Sequence, residues 1–126
     1  MILFDTDIFI WIQRGHEGAA ELVDGADGRF LSIQTYMELL QCASNKKQQK
    51  DVRGFLSDFN FTILPLTEKI GHRASIYVEE YSLGHGIRAG DALIAATATE
   101  NNLTLASSNG KHFKPIQDLD LKIFKP

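Results

Sequence analysis

Three carboxylates sit where the chain enters or leaves apolar segments: Asp5 after Ile2-Leu3-Phe4, Glu38 inside an otherwise apolar stretch, and Asp91 directly before Ala92-Leu93-Ile94-Ala95-Ala96. Acids this far apart in sequence, each tied to a core element, can converge in space. Their mutual repulsion then has to be offset by a cation. An oxygen-only donor set is hard, which suits Mg²⁺ or Mn²⁺ and not zinc. The chemistry such a set supports is metal-assisted attack on a phosphodiester.

Each acid has a plainer reading beside the chemical one. Asp5 could simply cap the helix that follows, but Asp7 directly precedes the periodic residues Ile8, Phe9 and Trp11 and is the expected cap, which leaves Asp5 free. Glu38 is surrounded by Met37, Leu39 and Leu40, and Ile33, Met37 and Leu40 form a core stripe at helical spacing. A carboxylate beside a core face is costly unless it is paired or metal-bound. Asp91 falls in the first turn of a helix that is apolar nearly all round, where the helix dipole favours an anion and capping is the competing role. Other chemistries lack support. His16, His72, His85 and His112 have no zinc-ligand spacing and no cysteine pair joins them. There is no G-x-S-x-G elbow, and Cys42 has no basic neighbour to activate it.

The elements that must position these acids read as strands alternating with helices. Ile2-Leu3-Phe4 is a buried strand, and Ile8, Phe9, Trp11 and Ile12 share one face of a helix that stops at Gly15. A second helix covers Glu17 to Val23, Arg29-Phe30-Leu31 is a strand, and Ser32 opens a helix through Glu38 and Cys42. After a polar break at Ser44-Asn45 a further helix runs to about Phe59, followed by a strand at Phe61-Thr62-Ile63-Leu64 closed by Pro65. Thr67 caps a helix with Ile70, Ala74, Tyr77, Val78 and Tyr81 on its apolar face, and Gly84-His85-Gly86 is a loop. Asp91 begins a helix through Thr99, and Leu103-Thr104-Leu105-Ala106 and Leu121-Lys122-Ile123-Phe124 complete the strands. Strands that are apolar throughout mean a parallel sheet covered on both sides. In such a sheet the crevice lies beyond the carboxyl ends of the strands, where Asp5, the start of the Glu38 helix and Ser107-Ser108-Asn109 are all delivered.

Composition is consistent with this and adds limits. A length of 126 residues suits one domain over 1–126, and 44% hydrophobic with 23% charged residues describes an ordinary globule. An acid at position 5 comes too soon for a signal peptide, and no apolar run approaches the roughly 18 residues needed to span a bilayer, so a cytoplasmic protein is expected. The one cysteine, Cys42, cannot form an internal disulfide and is expected to be a small buried residue. A net charge of −3 argues against a nucleic-acid-coating protein but not against a nuclease, because two divalent ions would make the formal balance positive. Lys46-Lys47-Gln48-Gln49-Lys50 with Arg53, and Lys111-His112-Phe113-Lys114, cluster positive charge, and each is first of all a solvated helix face or polar loop.

Four segments carry a resemblance. Asp5-Thr6-Asp7, Ser32 through Leu39, Asp91 through Ala98 and Ser107 through Phe113 together resemble the PIN-domain ribonucleases, and within them the VapC-type toxins of toxin–antitoxin pairs. The resemblance covers the chain from first strand to last, and the Asp91 segment is its most specific part. It implies a three-layer α/β/α fold around a parallel sheet of about five short strands, and Mg²⁺- or Mn²⁺-dependent endonucleolytic cleavage of RNA. It also implies a homodimer and a cognate antitoxin partner, with no membrane involvement. The family's metal-binding and catalytic acids map onto Asp5, Glu38 and Asp91, with Ser107 and Asn109 supporting them. This chain departs from the pattern at one place: many members carry a fourth acid in the loop after the fourth strand, where Asn109 and His112 stand here, and Ser107 replaces the usual threonine.

Two other functions compete. Phe4-Asp5-Thr6-Asp7 after an apolar strand also looks like the first motif of haloacid-dehalogenase-type phosphatases, in which the first Asp is a nucleophile and the second an acid/base. Phe9 stands where that motif has Thr or Val, Ala95 stands where a later acid belongs, and no lysine occurs in a suitable context. A non-catalytic PIN-like docking module is the third reading, and the presence of all three acids counts against it.

Overall fold

The computed structural model describes residues 1–126. The short apolar runs form β1 (Ile2–Phe4), β2 (Arg29–Ser32), β3 (Thr62–Leu64), β4 (Thr104–Ser107) and β5 (Leu121–Ile123). All pairings are parallel and the sheet order is β3-β2-β1-β4-β5. Parallel neighbours need crossovers, and helices supply them. These are α1 (Thr6–Gln13) and α2 (Glu17–Asp24) between β1 and β2, α3 (Ile33–Cys42) and α4 (Lys46–Asp58) between β2 and β3, and α5 (Glu68–His85) and α6 (Ala89–Glu100) between β3 and β4. The short α7 (Gly110–Phe113) precedes β5.

Strand side chains alternate between two apolar layers, because successive residues of a strand point to opposite faces. Leu3 and Leu105 pack with Ile70, Tyr77, Ala95 and Phe113 on one face. Phe4, Leu31 and Ala106 pack with Ile8, Phe9, Leu39 and Leu56 on the other. Each large side chain removed from water, such as Phe4 or Ile8 at 0% exposure, contributes about 1.5–3 kcal/mol. The result is the expected α/β/α sandwich. In α6 the residues Ala92, Ala95, Ala96 and Ala98 are all fully buried, and their small size lets the helix lie close against the sheet and α5. No helix is long and apolar enough to cross a membrane.

Four expectations need correction. In α3 the buried residues are Thr35 and Leu39, whereas Met37 is exposed. The helix leaves β2 directly at Ser32, and that turn sets its phase, so the inward stripe is Thr35–Leu39 with Glu38 at its border. Gly84 and His85 belong to α5, which ends at Gly86 in the left-handed conformation (φ 74°) that glycine tolerates. Lys111-His112-Phe113 is helical and not a polar loop, because Phe113 inserts fully into the core and pins α7. Cys42 is exposed, since the last turn of α3 runs out beyond the core. The Lys46–Lys50 cluster lies on the solvated side of α4, with Lys47 paired to Asp51 at 3.3 Å.

Candidate active site

The chain steps from β1 outward to β3 in one direction and then returns to place β4 on the other side of β1. Between β1 and β4 the strand order reverses, and such switch points open a crevice at the carboxyl ends of the strands. The register there is Leu3↔Leu105 and Phe4↔Ala106, and the Asp5 N–H donates to the Ala106 carbonyl at 2.9 Å. The next residue of each strand, Asp5 and Ser107, therefore meet at the mouth of the crevice.

Asp5, not Asp7, caps α1. Its backbone is extended (φ −69°, ψ 157°) and its Oδ1 accepts from the Thr6 N–H at 2.8 Å. Its Oδ2 accepts from the Ser107 hydroxyl at 2.7 Å. At 6% exposure the carboxylate has little water to solvate it. Burial pushes its carboxyl up to about 8; the adjacent Asp7 adds to the push, the Ser107 and Thr6 donors pull it back, and Asp91 adds a smaller upward contribution. Capping and electrostatic strain thus coincide on one residue.

Asp7 lies in the first turn of α1 and turns toward the loop after β4. Its Oδ2 accepts from the Ser108 N–H at 2.9 Å and from the Ser108 hydroxyl, with the Ser107 hydroxyl at 3.4 Å. The capping role expected for it fails because the helix begins at Thr6, two residues earlier than a cap at Asp7 requires.

Glu38 reaches the same edge from α3. Its Oε1 accepts from the Thr6 hydroxyl at 2.7 Å, and that hydroxyl also lies 3.0 Å from the buried Thr35 hydroxyl. One hydroxyl carries one proton and the carboxylate is the stronger acceptor, so Thr6 gives its proton to Glu38 and takes one from Thr35. The first turn of α6 presses on this group: a Cβ on Gly90 would stand 3.2 Å from Gln34 Nε2 and 3.5 Å from Glu38 Oε2. Glycine leaves that approach open.

Asp91 does not cap α6. The N-cap is Arg88, which makes no side-chain cap bond, and Asp91 faces α7, with Oδ2 3.0 Å from His112 Nδ1. An ionised carboxylate only accepts, so Nδ1 carries the proton that points at it. Asn109 caps α7, its Oδ1 accepting from the His112 N–H at 3.4 Å, and its Nδ2 lies 2.9 Å from the imidazole Nδ1. With its proton on Asp91, Nδ1 cannot also accept from the Asn109 amide, so Asn109 supports Asp91 only by capping the helix that carries His112, while Ser107 touches Asp5 directly.

The predicted acids Asp5, Glu38 and Asp91 are brought to one end of the sheet, but no three carboxylates or imidazoles stand close enough to form a ready-made cage. The donors present do fit a hard divalent ion: they are oxygens, Asp5 is crowded by Asp7 and Asp91, and the buried Asp7 Oδ1 meets no donor at all. A buried carboxylate oxygen with no partner costs about 1–3 kcal/mol or more, and a cation nearby offsets that cost. The sequence pattern placed Ser108 at this edge of the sheet but did not mark Thr6, Thr35 and Asp7 as members of this network. The closest signal was the doublet Asp5-Thr6-Asp7 itself, in which two acids share the start of one helix.

Comparison with known proteins agrees with this fold. Residues 2–119 match the PIN domain family model. A Mycobacterium tuberculosis protein named ribonuclease VapC10 is 34% identical over 123 residues, covering 94% of this chain and 90% of that one. A toxin–antitoxin complex from Klebsiella pneumoniae superposes with a TM-score of 0.80 at 28% identity, covering 94% of this chain and 95% of its counterpart. VapBC2 from Rickettsia felis, bound to a DNA fragment from its promoter, gives 0.81 at 26% identity, covering 99% and 100%. With nearly the whole chain matched and its acids gathered at the switch point of the sheet, the chain belongs to the PIN-domain family, in its VapC-type branch.

Proposed function

We propose that this chain is an endoribonuclease that hydrolyses RNA phosphodiester bonds with Mg²⁺ or Mn²⁺, and that it is the toxin of a toxin–antitoxin pair. Its nuclease domain spans 1–126 and works as a homodimer. The observation that carries the reading is Asp5: a carboxylate buried at the end of β1, crowded by Asp7 and Asp91 and linked to Glu38 through Thr6. Its similarity to a ribonuclease and to proteins of toxin–antitoxin complexes supports the substrate and partner.

Asp5, Glu38 and Asp91 would hold the ion. When bound, it supplies Lewis acidity toward the phosphate and lowers the pKa of water. The protein's own groups prepare for that role. Ser107 orients Asp5 Oδ2, the Thr35–Thr6 hydroxyl pair orients Glu38, and His112 orients Asp91. Asp5 must release its proton to act as a ligand, so ion binding and deprotonation are linked. Attack by water with departure of the 3′ oxygen leaves 5′-phosphate and 3′-hydroxyl ends.

The decisive experiment is cleavage of defined RNAs with and without chelator. Activity is expected to vanish in excess EDTA, to return with Mg²⁺ or Mn²⁺ and not with Zn²⁺, and to leave 5′-phosphates. Activity that persists in EDTA, or products with cyclic phosphate ends, would overturn the reading. For the partner, an apolar groove of about 340 Å³ between α1, α3 and α4, lined by Phe9, Ile12, Leu39, Val52 and Phe55 among others, offers a small protein a surface. Co-expression with a small protein encoded next to this one is expected to yield a complex that cleaves little RNA. If the isolated chain is fully active and growth-neutral when overproduced in its host, the toxin assignment fails although the nuclease can stand.

A further inference from the structure

We infer that Asp7 is the fourth acid of the ion site, occupying from α1 the space that a loop acid would otherwise fill. The inference rests on the divalent-ion reading above and adds a residue to it.

The loop after β4 contains Ser107, Ser108 and Asn109 and no carboxylate. What matters electrostatically is where a charge sits, not which segment supplies it. The Asp7 carboxylate lies against that very loop, with Oδ2 held by the Ser108 N–H and hydroxyl. The Ser107 hydroxyl stands between Asp7 and Asp5, 2.7 Å from one carboxylate and 3.4 Å from the other. One hydroxyl has one proton, and Asp5 takes it.

That arrangement leaves Asp7 half satisfied. Its Oδ1 is covered by protein, meets no donor, and is the one buried side-chain polar atom in the chain without a partner. If Asp7 served only to anchor the loop, both oxygens could be expected to find donors, as most buried polar atoms do. An anionic oxygen left unpaired beside Asp5 instead calls for positive charge. Once Asp5 releases its proton to the incoming ion, the site carries four formal negative charges, from Asp5, Asp7, Glu38 and Asp91, and not three, which restores the attraction for divalent ions that Asn109 and His112 would otherwise weaken.

The test is calorimetric titration of the full RNA-free chain with Mn²⁺, comparing Asp7→Asn with Asp58→Asn. Asparagine keeps the size and an acceptor for the Ser108 N–H but removes the charge. Asparagine at 58 removes the same charge from the exposed end of α4, which leads into the start of β3 at the opposite edge of the sheet. Loss of groups that tune a metal site costs about 10–100-fold in affinity. Asp7→Asn is expected to weaken Mn²⁺ binding at least tenfold with an unchanged or raised melting temperature, while Asp58→Asn stays within about threefold of the parent. Should Asp7→Asn fail to fold, Asp7→Ser is titrated in its place. Unaltered Mn²⁺ affinity in Asp7→Asn, or an equal loss in both variants, overturns the role of Asp7 alone. A parent chain that binds no Mn²⁺ overturns the ion site as a whole.

Discussion

Asp5→Asn, Glu38→Gln and Asp91→Asn are each expected to reduce RNA cleavage by about a hundredfold or more while leaving the fold intact. The size follows from what is removed. An ion's stabilisation of charge at phosphorus is worth several kcal/mol, and each 1.36 kcal/mol is a factor of about ten in rate. The preservation of the fold follows from what is kept. Asn at 5 retains an acceptor for the Thr6 N–H, Gln at 38 retains one for the Thr6 hydroxyl, and Asn at 91 retains one for His112. Neutralising Asp5 also relieves the crowding by Asp7 and Asp91, so in metal-free buffer its melting temperature is expected to hold or rise. Single-turnover cleavage rates and thermal melts of the same preparations check both halves. Near-parental cleavage by any one variant removes that acid from the site. A fall of several degrees instead marks the acid as structural.

Much of this site was legible in the residues. Uniformly apolar runs separated by helical periodicity gave the parallel sheet, and an acid at the end of the first run pointed to its carboxyl edge. The alternation that buries Leu3 on one face and Phe4 on the other is a consequence of helices covering both sides. What could not be read was phase and partnership. The stripe of α3 depends on how the chain turns at Ser32, a geometry that no spacing of apolar residues encodes. Asp5 and Asp7 are both good capping types, and only the start of the helix at Thr6 distinguishes them. Cys42 sits in a helix with a buried face, but its own turn projects past the core. The contacts of Ser107 with Asp5 and of His112 with Asp91 span 102 and 21 residues and arise from register and from the docking of α7.

The stability of the metal-free protein is expected to fall as pH rises from about 4 to about 8, and Asp5 is the group responsible for the slope. Its ordinary pKa of 3.8 is raised to about 8 in the fold, chiefly by burial and then by Asp7. Between those values the folded chain holds a proton that the unfolded chain has lost. Stability changes with pH in proportion to the protons bound by the unfolded state minus those bound by the native state, and here that difference is negative. The contribution is thus complete below the unfolded pKa and gone above the folded one, which is the reverse of the usual carboxylate. Asp5→Asn removes the titration, so its melting temperature should be flatter from pH 5 to 8. At pH 8 it should exceed the parent's by roughly 5–10 °C, a gap on the order of 2–3 kcal/mol for a domain of this size. Any hydrogen bond altered by the amide shifts the whole curve equally, so the slope is the diagnostic quantity. Saturating Mn²⁺ binds the ionised form and should flatten the parent's curve too. In calorimetry at pH 7 the same linkage appears as proton release, read from heats measured in buffers of different ionisation enthalpy. Parallel curves for parent and variant, with no proton released on Mn²⁺ binding, would show that Asp5 is already ionised and that its crowding by Asp7 and Asp91 is offset within the protein itself.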